Sequence, residues 1–195
     1  MVVFFLLTLP LKYLYIICKI KNIFMDIDKH FSVIPLSSSN YRQALSVALT
    51  IFKSDPNSKE WIPNSYQKAV FPDRYIGEVN TYAYWILWDN IAKKIIGVTG
   101  LYTQNKDRKH CFWLGWLGIL QEYRGRSLGK YLFEWTQQEA VRRNKLYLRL
   151  QTSNLHYATT AVALYQKQGC REIKRQQEKL KHSSYYSIFM EKKLV

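Results

Sequence analysis

Apolar positions along this chain recur at two spacings, and the changes of spacing mark out its elements. Phe31 to Leu36 is a short apolar run that predicts a strand. Ser37 to Asn40 then offers N-cap residues for a helix over Tyr41 to Phe52. Residues 54–80 carry Pro56, Pro63, Pro72 and Gly77 among polar residues and read as a loop, with a short helix around Ser65 to Val70. The aromatic residues of that loop (Trp61, Tyr66, Phe71, Tyr75) suit a wall that packs down on the domain. Tyr82 to Trp88, Lys94 to Thr103 and the run from Cys111 through Phe112 to Leu120 follow as three strands joined by polar turns, which makes a meander.

After the third strand the period becomes helical. Leu128, Tyr131, Leu132, Trp135 and Ala140 share one face of a helix over about Ser127 to Arg143. Leu146 to Gln151 alternates as a strand. Ala161, Leu164 and Tyr165 give a helix over Thr159 to Gln168, with Gly169 as its C-cap. Arg171 to Gln176 and Tyr185 to Lys193 close the chain as two strands around the charged turn Gln177 to Ser184. The predicted order is β-α-(α)-β-β-β-α-β-α-β-β. This is an α/β (α+β) pattern, for which a mixed, mostly antiparallel central sheet flanked by helices is the natural packing.

The first 24 residues do not fit the rest. They are strongly apolar but broken by Pro10 and Lys12, so they match neither an uninterrupted membrane span of roughly 20 residues nor a signal peptide. Met25 opens a stretch typical of a soluble domain. The expectation is that 1–24 derive from an upstream start and stand outside the fold, and that 25–195 form one domain; a membrane anchor is the alternative.

Composition adds three constraints. With 195 residues, 48% of them hydrophobic and 15% aromatic, the chain can bury one sizeable core. Its formal net charge of +15 favours anionic ligands and says nothing of fold. Three cysteines with no CxxC pair and no histidines at zinc-finger spacing point to reduced thiols in a cytoplasm and to no metal site.

Chemistry concentrates where the third strand enters its helix: Gln121-Glu-Tyr-Arg124-Gly125-Arg126-Ser127-Leu128-Gly129-Lys130. A strand, a glycine-containing turn and a helix N-terminus cradle anions, because free amides and the positive end of the helix dipole converge there. The turn is neither a Walker loop nor a dinucleotide fingerprint. It resembles the acyl-CoA-binding signature [Q/R]-x-x-G-x-[G/A] of the GNAT family of N-acetyltransferases, with Arg124, Ser127 and Gly129 at the fixed positions. Ser127 stands where the family usually has glycine, so its backbone is more restricted; if it cannot open its N–H to phosphate, Ser127→Gly should raise cofactor affinity. About 32 positions after Gly129, Ala161-Val-Ala-Leu164-Tyr165-Gln-Lys-Gln-Gly169-Cys170 is similar to the family's A-x-x-L-Y-x-K-x-G-F.

The resemblance implies a GNAT-like fold with splayed parallel strands and acetyl-CoA as co-substrate. It implies that Arg124, Gly125, Arg126, Ser127, Leu128, Gly129 and Lys130 hold the pyrophosphate. It implies that the backbone of Leu117, Gly118 and Ile119 meets the pantetheine arm, with Gly115 and Gly118 permitting close approach. By the same resemblance Tyr165 protonates the leaving thiolate while an amine takes the acetyl group directly. Ala158 occupies a position often held by asparagine in the family, and Asn154 is the nearby substitute. The general base stays open among Glu122, His110, His156 and water. The loop 54–80 would border the acceptor amine. A homodimer fits the same picture. The rival readings are a non-catalytic acyl-CoA sensor of this fold and a nucleic-acid binder; the second lacks any RNP, zinc-finger or basic-zipper pattern.

Overall fold

The computed structural model describes residues 29–75, 81–179 and 184–194. The segment 1–24, residues 76–80 of the predicted loop and the tip of the final charged turn, 180–183, lie outside these. Strand β1 (Phe31–Pro35) leads to helices α1 (Tyr41–Ile51) and α2 (Ser58–Val70), then to the meander β2 (Tyr82–Asp89), β3 (Lys94–Tyr102) and β4 (Cys111–Leu114). A two-residue strand β5 (Gly118–Ile119) precedes α3 (Leu128–Arg142), β6 (Tyr147–Ser153), α4 (Thr159–Lys167), β7 (Arg171–Lys179) and β8 (Ser184–Lys193). The strands form one eight-stranded sheet in the order β1-β2-β3-β4-β6-β8-β7, with β5 paired to β3. Every pairing is antiparallel except β4 with β6.

The helices cover both faces. On one face, Ala44 and Ala48 of α1 and Ile62 and Tyr66 of α2 pack with Tyr84, Ile86, Ile95 and Val98 of the sheet. On the other, Phe133 and Ala140 of α3 and Tyr165 of α4 meet Trp85, Leu101, Phe112, Leu148 and Leu150. Leu128 and Leu132 of α3 join Leu87, Ile96, Ile119 and Tyr123. Residues 84 to 87 thus alternate between the two cores, as strand geometry requires.

Two elements differ from the sequence reading. Helix α2 spans 13 residues and contains Pro63 in its second turn, where proline counts as a breaker. A proline inside a helix costs about 3 kcal/mol. Fully burying Ile62 and Tyr66, at 0% and 1% exposure, offsets that, at about 1.5–3 kcal/mol for each large side chain. The wall expected here is partial: Tyr66 is core, whereas Trp61 stays 51% exposed.

The apolar run Phe112 to Leu120 is also not one strand. Leu114 faces Leu101 and Gly118 faces Val98, so four steps on this side meet three on β3. The extra residue is a β-bulge around Trp116 and Leu117, a device that re-aims a strand and is common beside active sites.

Candidate active site

β4 and β6 run in parallel only over Cys111–Trp113 against Tyr147–Arg149. Beyond that register the bulge carries the chain away from β6, and the gap between Leu117–Ile119 and Gln151–Ser153 becomes the floor of a cleft of about 1070 Å3. The Leu120 amide donates to the Ile96 carbonyl at 2.8 Å. By antiparallel alternation, the amide and carbonyl of Ile119 then face away from β3 and into the gap.

The turn follows at once. A 3-10 turn over Gln121–Tyr123 leads to Arg124, whose Nε donates to the Ile119 carbonyl at 3.1 Å and ties the turn back to β5. Gly125 takes φ 79° and Ser127 φ 59°, both left-handed. Ser127 caps α3 without a side-chain hydrogen bond. The amides of Gly125 through Gly129 have no backbone acceptor among the described residues. They form a row of donors at the positive end of a 15-residue helix, which fits a pyrophosphate.

Of the residues singled out in the sequence, Leu117, Gly118, Ile119, Arg124, Gly125, Ser127, Leu128, Gly129, Lys130 and Tyr165 all line this one cleft. Lys130 also pairs with Glu134 at 3.8 Å. Two residues stand apart. Arg126 is exposed and lays its guanidinium 5.3 Å from the centre of the Tyr123 ring. Asn154 does not line the cleft: its Oδ1 accepts from the Tyr186 amide at 2.7 Å and its own amide donates to the Tyr186 carbonyl at 3.1 Å. The asparagine is therefore used to extend the β6–β8 ladder, and the expectation that it reaches the cofactor is corrected on that ground.

The glycines of the bulge also have a different task from the one expected. A Cβ on Gly115 would sit 2.6 Å from the Tyr84 hydroxyl, and one on Gly100 would lie 2.2 Å from the Tyr84 ring. Together they form a slot that admits Tyr84 edge-on beneath the bulge. A Cβ on Gly118 would meet Ile51 Cγ2 at 2.5 Å and Phe52 Cζ at 2.8 Å, so this glycine admits the end of α1. Close approach is required at both positions, but by protein side chains.

Tyr165 sits in the last turn of α4 with its ring 5.2 Å from that of Phe133, and it is 6% exposed. Its hydroxyl has no hydrogen-bond partner among the described residues. Burial, with a smaller contribution from neighbouring Cys170, holds its phenol well above the ordinary range, so it stays protonated at neutral pH. Gly169, at φ 84°, ends this helix as expected, and the Cys170 amide closes it on the Tyr165 carbonyl at 2.9 Å.

The general-base candidates separate clearly. His110 and His156 do not line the cleft. Glu122 does, but it pairs with Lys94 at 3.6 Å on the phosphate side of the turn. Sequence reasoning missed Asp55, which lines the cleft from the α1–α2 loop. Its Oδ1 accepts from the Asn57 amide at 2.9 Å, the usual Asx turn. Its carboxyl lies raised from the ordinary range, by burial first and against the opposing hydrogen bonds of Asn57 and Tyr157. The Asp-Pro-Asn sequence signals a turn and nothing about what it faces.

The family model for the Acetyltransferase (GNAT) family matches residues 48–170. The chain belongs to the GNAT family. No curated protein sequence matches it. Solved GNAT structures match its fold over most of its length. The ribosomal-protein-S18-alanine N-acetyltransferase of Escherichia coli superposes with a TM-score of 0.63 at 17% identity, covering 84% of this chain and 94% of that one. A GNAT-family acetyltransferase from Staphylococcus aureus gives 0.59 at 20% identity over 85% and 99% of the two chains. One from Elizabethkingia anophelis with acetyl-CoA bound gives 0.60 at 15% identity over 84% and 98%. The GNAT family uses acetyl-CoA as co-substrate, and the open gap and the row of unpaired amides in this chain fit that molecule. No helix among the described residues is long and apolar enough to cross a membrane.

Proposed function

We propose that this GNAT acetyltransferase moves an acetyl group from acetyl-CoA directly to an amine. The amides from Gly125 to Gly129 bind the pyrophosphate, assisted by Lys130. The gap-facing amide of Ile119 orients the pantetheine arm and polarises the thioester carbonyl, so the splayed strands are closed by the arm itself. Arg124 acts mainly through its bond to Ile119, which sets the angle between this strand edge and the phosphate row.

The neutral amine attacks the thioester carbon; a C–N bond forms and the C–S bond breaks. The amine sheds one proton, and the departing sulfur receives one. Tyr165 supplies the proton to sulfur. The observation that carries this reading is that Tyr165 lines the cleft while its hydroxyl has no hydrogen-bond partner among the described residues. A raised phenol is a reluctant acid toward a thiol of pKa about 8.5. It therefore acts by donating a hydrogen bond to the developing thiolate, and the proton that passes to sulfur is replaced at the phenol from solvent in the same step.

Tyr165→Phe tests this. Loss of the donor is expected to lower kcat about 100-fold, within the usual range for one general acid, with acetyl-CoA affinity within about two-fold of wild type. Turnover unchanged in Tyr165→Phe removes the role. Release of free thiol from acetyl-CoA across a panel of primary amines tests the reaction itself. Tight acetyl-CoA binding with no amine turned over favours the reading of this chain as an acyl-CoA sensor.

A further inference from the structure

The cleft extends past the thioester position toward α1, α2 and the start of β8, and that end has its own chemistry. Tyr82, Tyr102, Tyr157 and Trp61 present aromatic surface there. Within this surface stands one carboxylate, Asp55, against the Tyr157 hydroxyl, which in turn lies against Ser153 at the end of β6. Asp55 thus spans from the α1–α2 loop to the strand edge that borders the acetyl group's position.

Asp55 is half-buried, and it makes no ion pair with any described residue. A carboxylate removed from water without a cationic partner is an unfavourable arrangement. The amide of Asn57 satisfies part of its hydrogen-bonding capacity, and neither that bond nor the neighbouring Tyr157 hydroxyl balances its charge. The other ionisable groups of this part of the lining are Lys53 and Lys68 together with the Tyr82, Tyr84, Tyr102, Tyr157 and Tyr185 phenols. Lys68 is turned over the rings of Tyr82 and Tyr75, 5.3 and 5.6 Å from their centres.

We propose that Asp55, oriented by Tyr157, is the counter-ion of the acceptor ammonium, and that the acceptor is a cationic primary amine with a flat apolar body that stacks on the tyrosine wall. The inference rests on the acetyl-transfer reading, but it concerns a separate subsite. The ammonium completes the ion pair that the described residues leave half-made. The apolar body takes the ring faces, which attract both aromatic groups and the CH groups beside a positive nitrogen. Burial holds the Asp55 carboxyl above its ordinary range, and the subsite releases the amine as falling pH protonates that carboxyl.

The test compares 2-phenylethylamine with its isostere 2-phenylethanol, with binding followed by calorimetry at pH 7 and in the presence of coenzyme A. One desolvated charge-assisted pair predicts that the amine binds about ten-fold or more tightly than the alcohol. Asp55→Asn keeps an acceptor for the Asn57 amide and is expected to bring the two ligands within about two-fold, at unchanged coenzyme A affinity. Equal binding of amine and alcohol to wild type, or a preference that survives in Asp55→Asn, overturns the proposal. A second measurement needs no variant: the amine-to-alcohol ratio of the wild type must fall toward one as pH drops through the carboxylate range, and a flat ratio overturns the proposal as well. Asp55-dependent amine binding without thiol release from acetyl-CoA removes acetyl transfer and leaves the subsite. Thiol release without that dependence removes the subsite alone.

Discussion

Ser127 offers the sharpest test of how the phosphate turn is built. Its backbone sits at φ 59°, ψ 6°, left-handed, at the entrance to α3. An L-residue held there costs about 1–2 kcal/mol, because Cβ crowds the following carbonyl. Glycine removes that crowding but adds conformational freedom to the unfolded chain, worth about 0.5–1 kcal/mol in the opposite direction. The serine hydroxyl makes no capping bond, so nothing else is lost. Ser127→Gly is therefore expected to stabilise the protein by about 0.5–1 kcal/mol, which for a domain of this size raises Tm by roughly 1–4 °C.

Gly125 supplies the mirror experiment. At φ 79° it has nothing within 4 Å of the place where a Cβ would stand, so Gly125→Ala adds backbone strain and no clash. It should fall by about the amount that Ser127→Gly gains. Scanning calorimetry of the two variants and the wild type reads both effects. Shifts of the same sign in the two variants would refute the reasoning, since a shared cause must then lie outside the backbone. Acetyl-CoA affinity distinguishes this account from the expectation based on family resemblance. The Ser127 amide already belongs to the row without backbone acceptors, so glycine opens no new donor and Kd should stay within about two-fold. A ten-fold gain in affinity would restore the view that serine withholds its amide from phosphate.

Gly118→Ala should be tolerated far less well than its small volume change suggests, because Ile51 Cγ2 and Phe52 Cζ occupy the space; overpacking of this kind costs about 1–3 kcal/mol, a fall in Tm of roughly 2–12 °C, and an unshifted Tm would show that the end of α1 yields freely. Asp89 accepts hydrogen bonds from the amides of Ile91 and Ala92 and from the Tyr123 hydroxyl, at 2.9, 2.8 and 3.0 Å; these outweigh the upward push of burial and hold its carboxyl below the ordinary range. A depressed carboxyl stabilises the fold above its unfolded pKa of about 3.9 and loses that contribution as pH falls through its folded value, so urea midpoints of wild type and Asp89→Asn should converge as pH falls from 5 toward 3; a gap that persists at acid pH contradicts this.

The elements that local pattern controls were legible in the sequence. The meander, the helix after the turn and the Gly169 cap follow from spacing that one segment carries alone; the convergence of the phosphate turn, Arg126 apart, with Tyr165 on one cleft came from the family resemblance of two motifs in order. What was not legible depends on partners distant in the chain. Pro63 is tolerated because Ile62 and Tyr66 find a core made by α1 and β2. The break at Trp116 answers to Tyr84 and Gly100 on neighbouring strands, so an unbroken apolar run could not announce it. Asn154 was assigned to the cofactor on sequence proximity and is instead claimed by Tyr186, 32 residues away. Asp55 carries no pattern at all; its meaning comes from the wall it faces.

The cleft depends on a sheet that parts at a chosen point and holds together just before it. Arg149, in the last β4–β6 pair, supplies the hold: its Nε donates to Glu191 on β8 and its Nη1 to Asp107 before β4, both at 2.7 Å. Trp113, opposite Arg149, donates through Nε1 to the same Asp107 carboxylate at 3.0 Å. Two carboxylates and a guanidinium thus rivet three adjacent strands at the closed end of the gap. At the other end, one extra residue and the Tyr84 wedge beneath Gly115 oppose closure. Between these fixed points the Ile119 amide is left facing the gap, and an extended ligand arm can take the place of the strand pairing that the bulge removes. The separation is therefore set by the sheet's own side chains, an ion-pair cluster at one end and the Tyr84 wedge at the other.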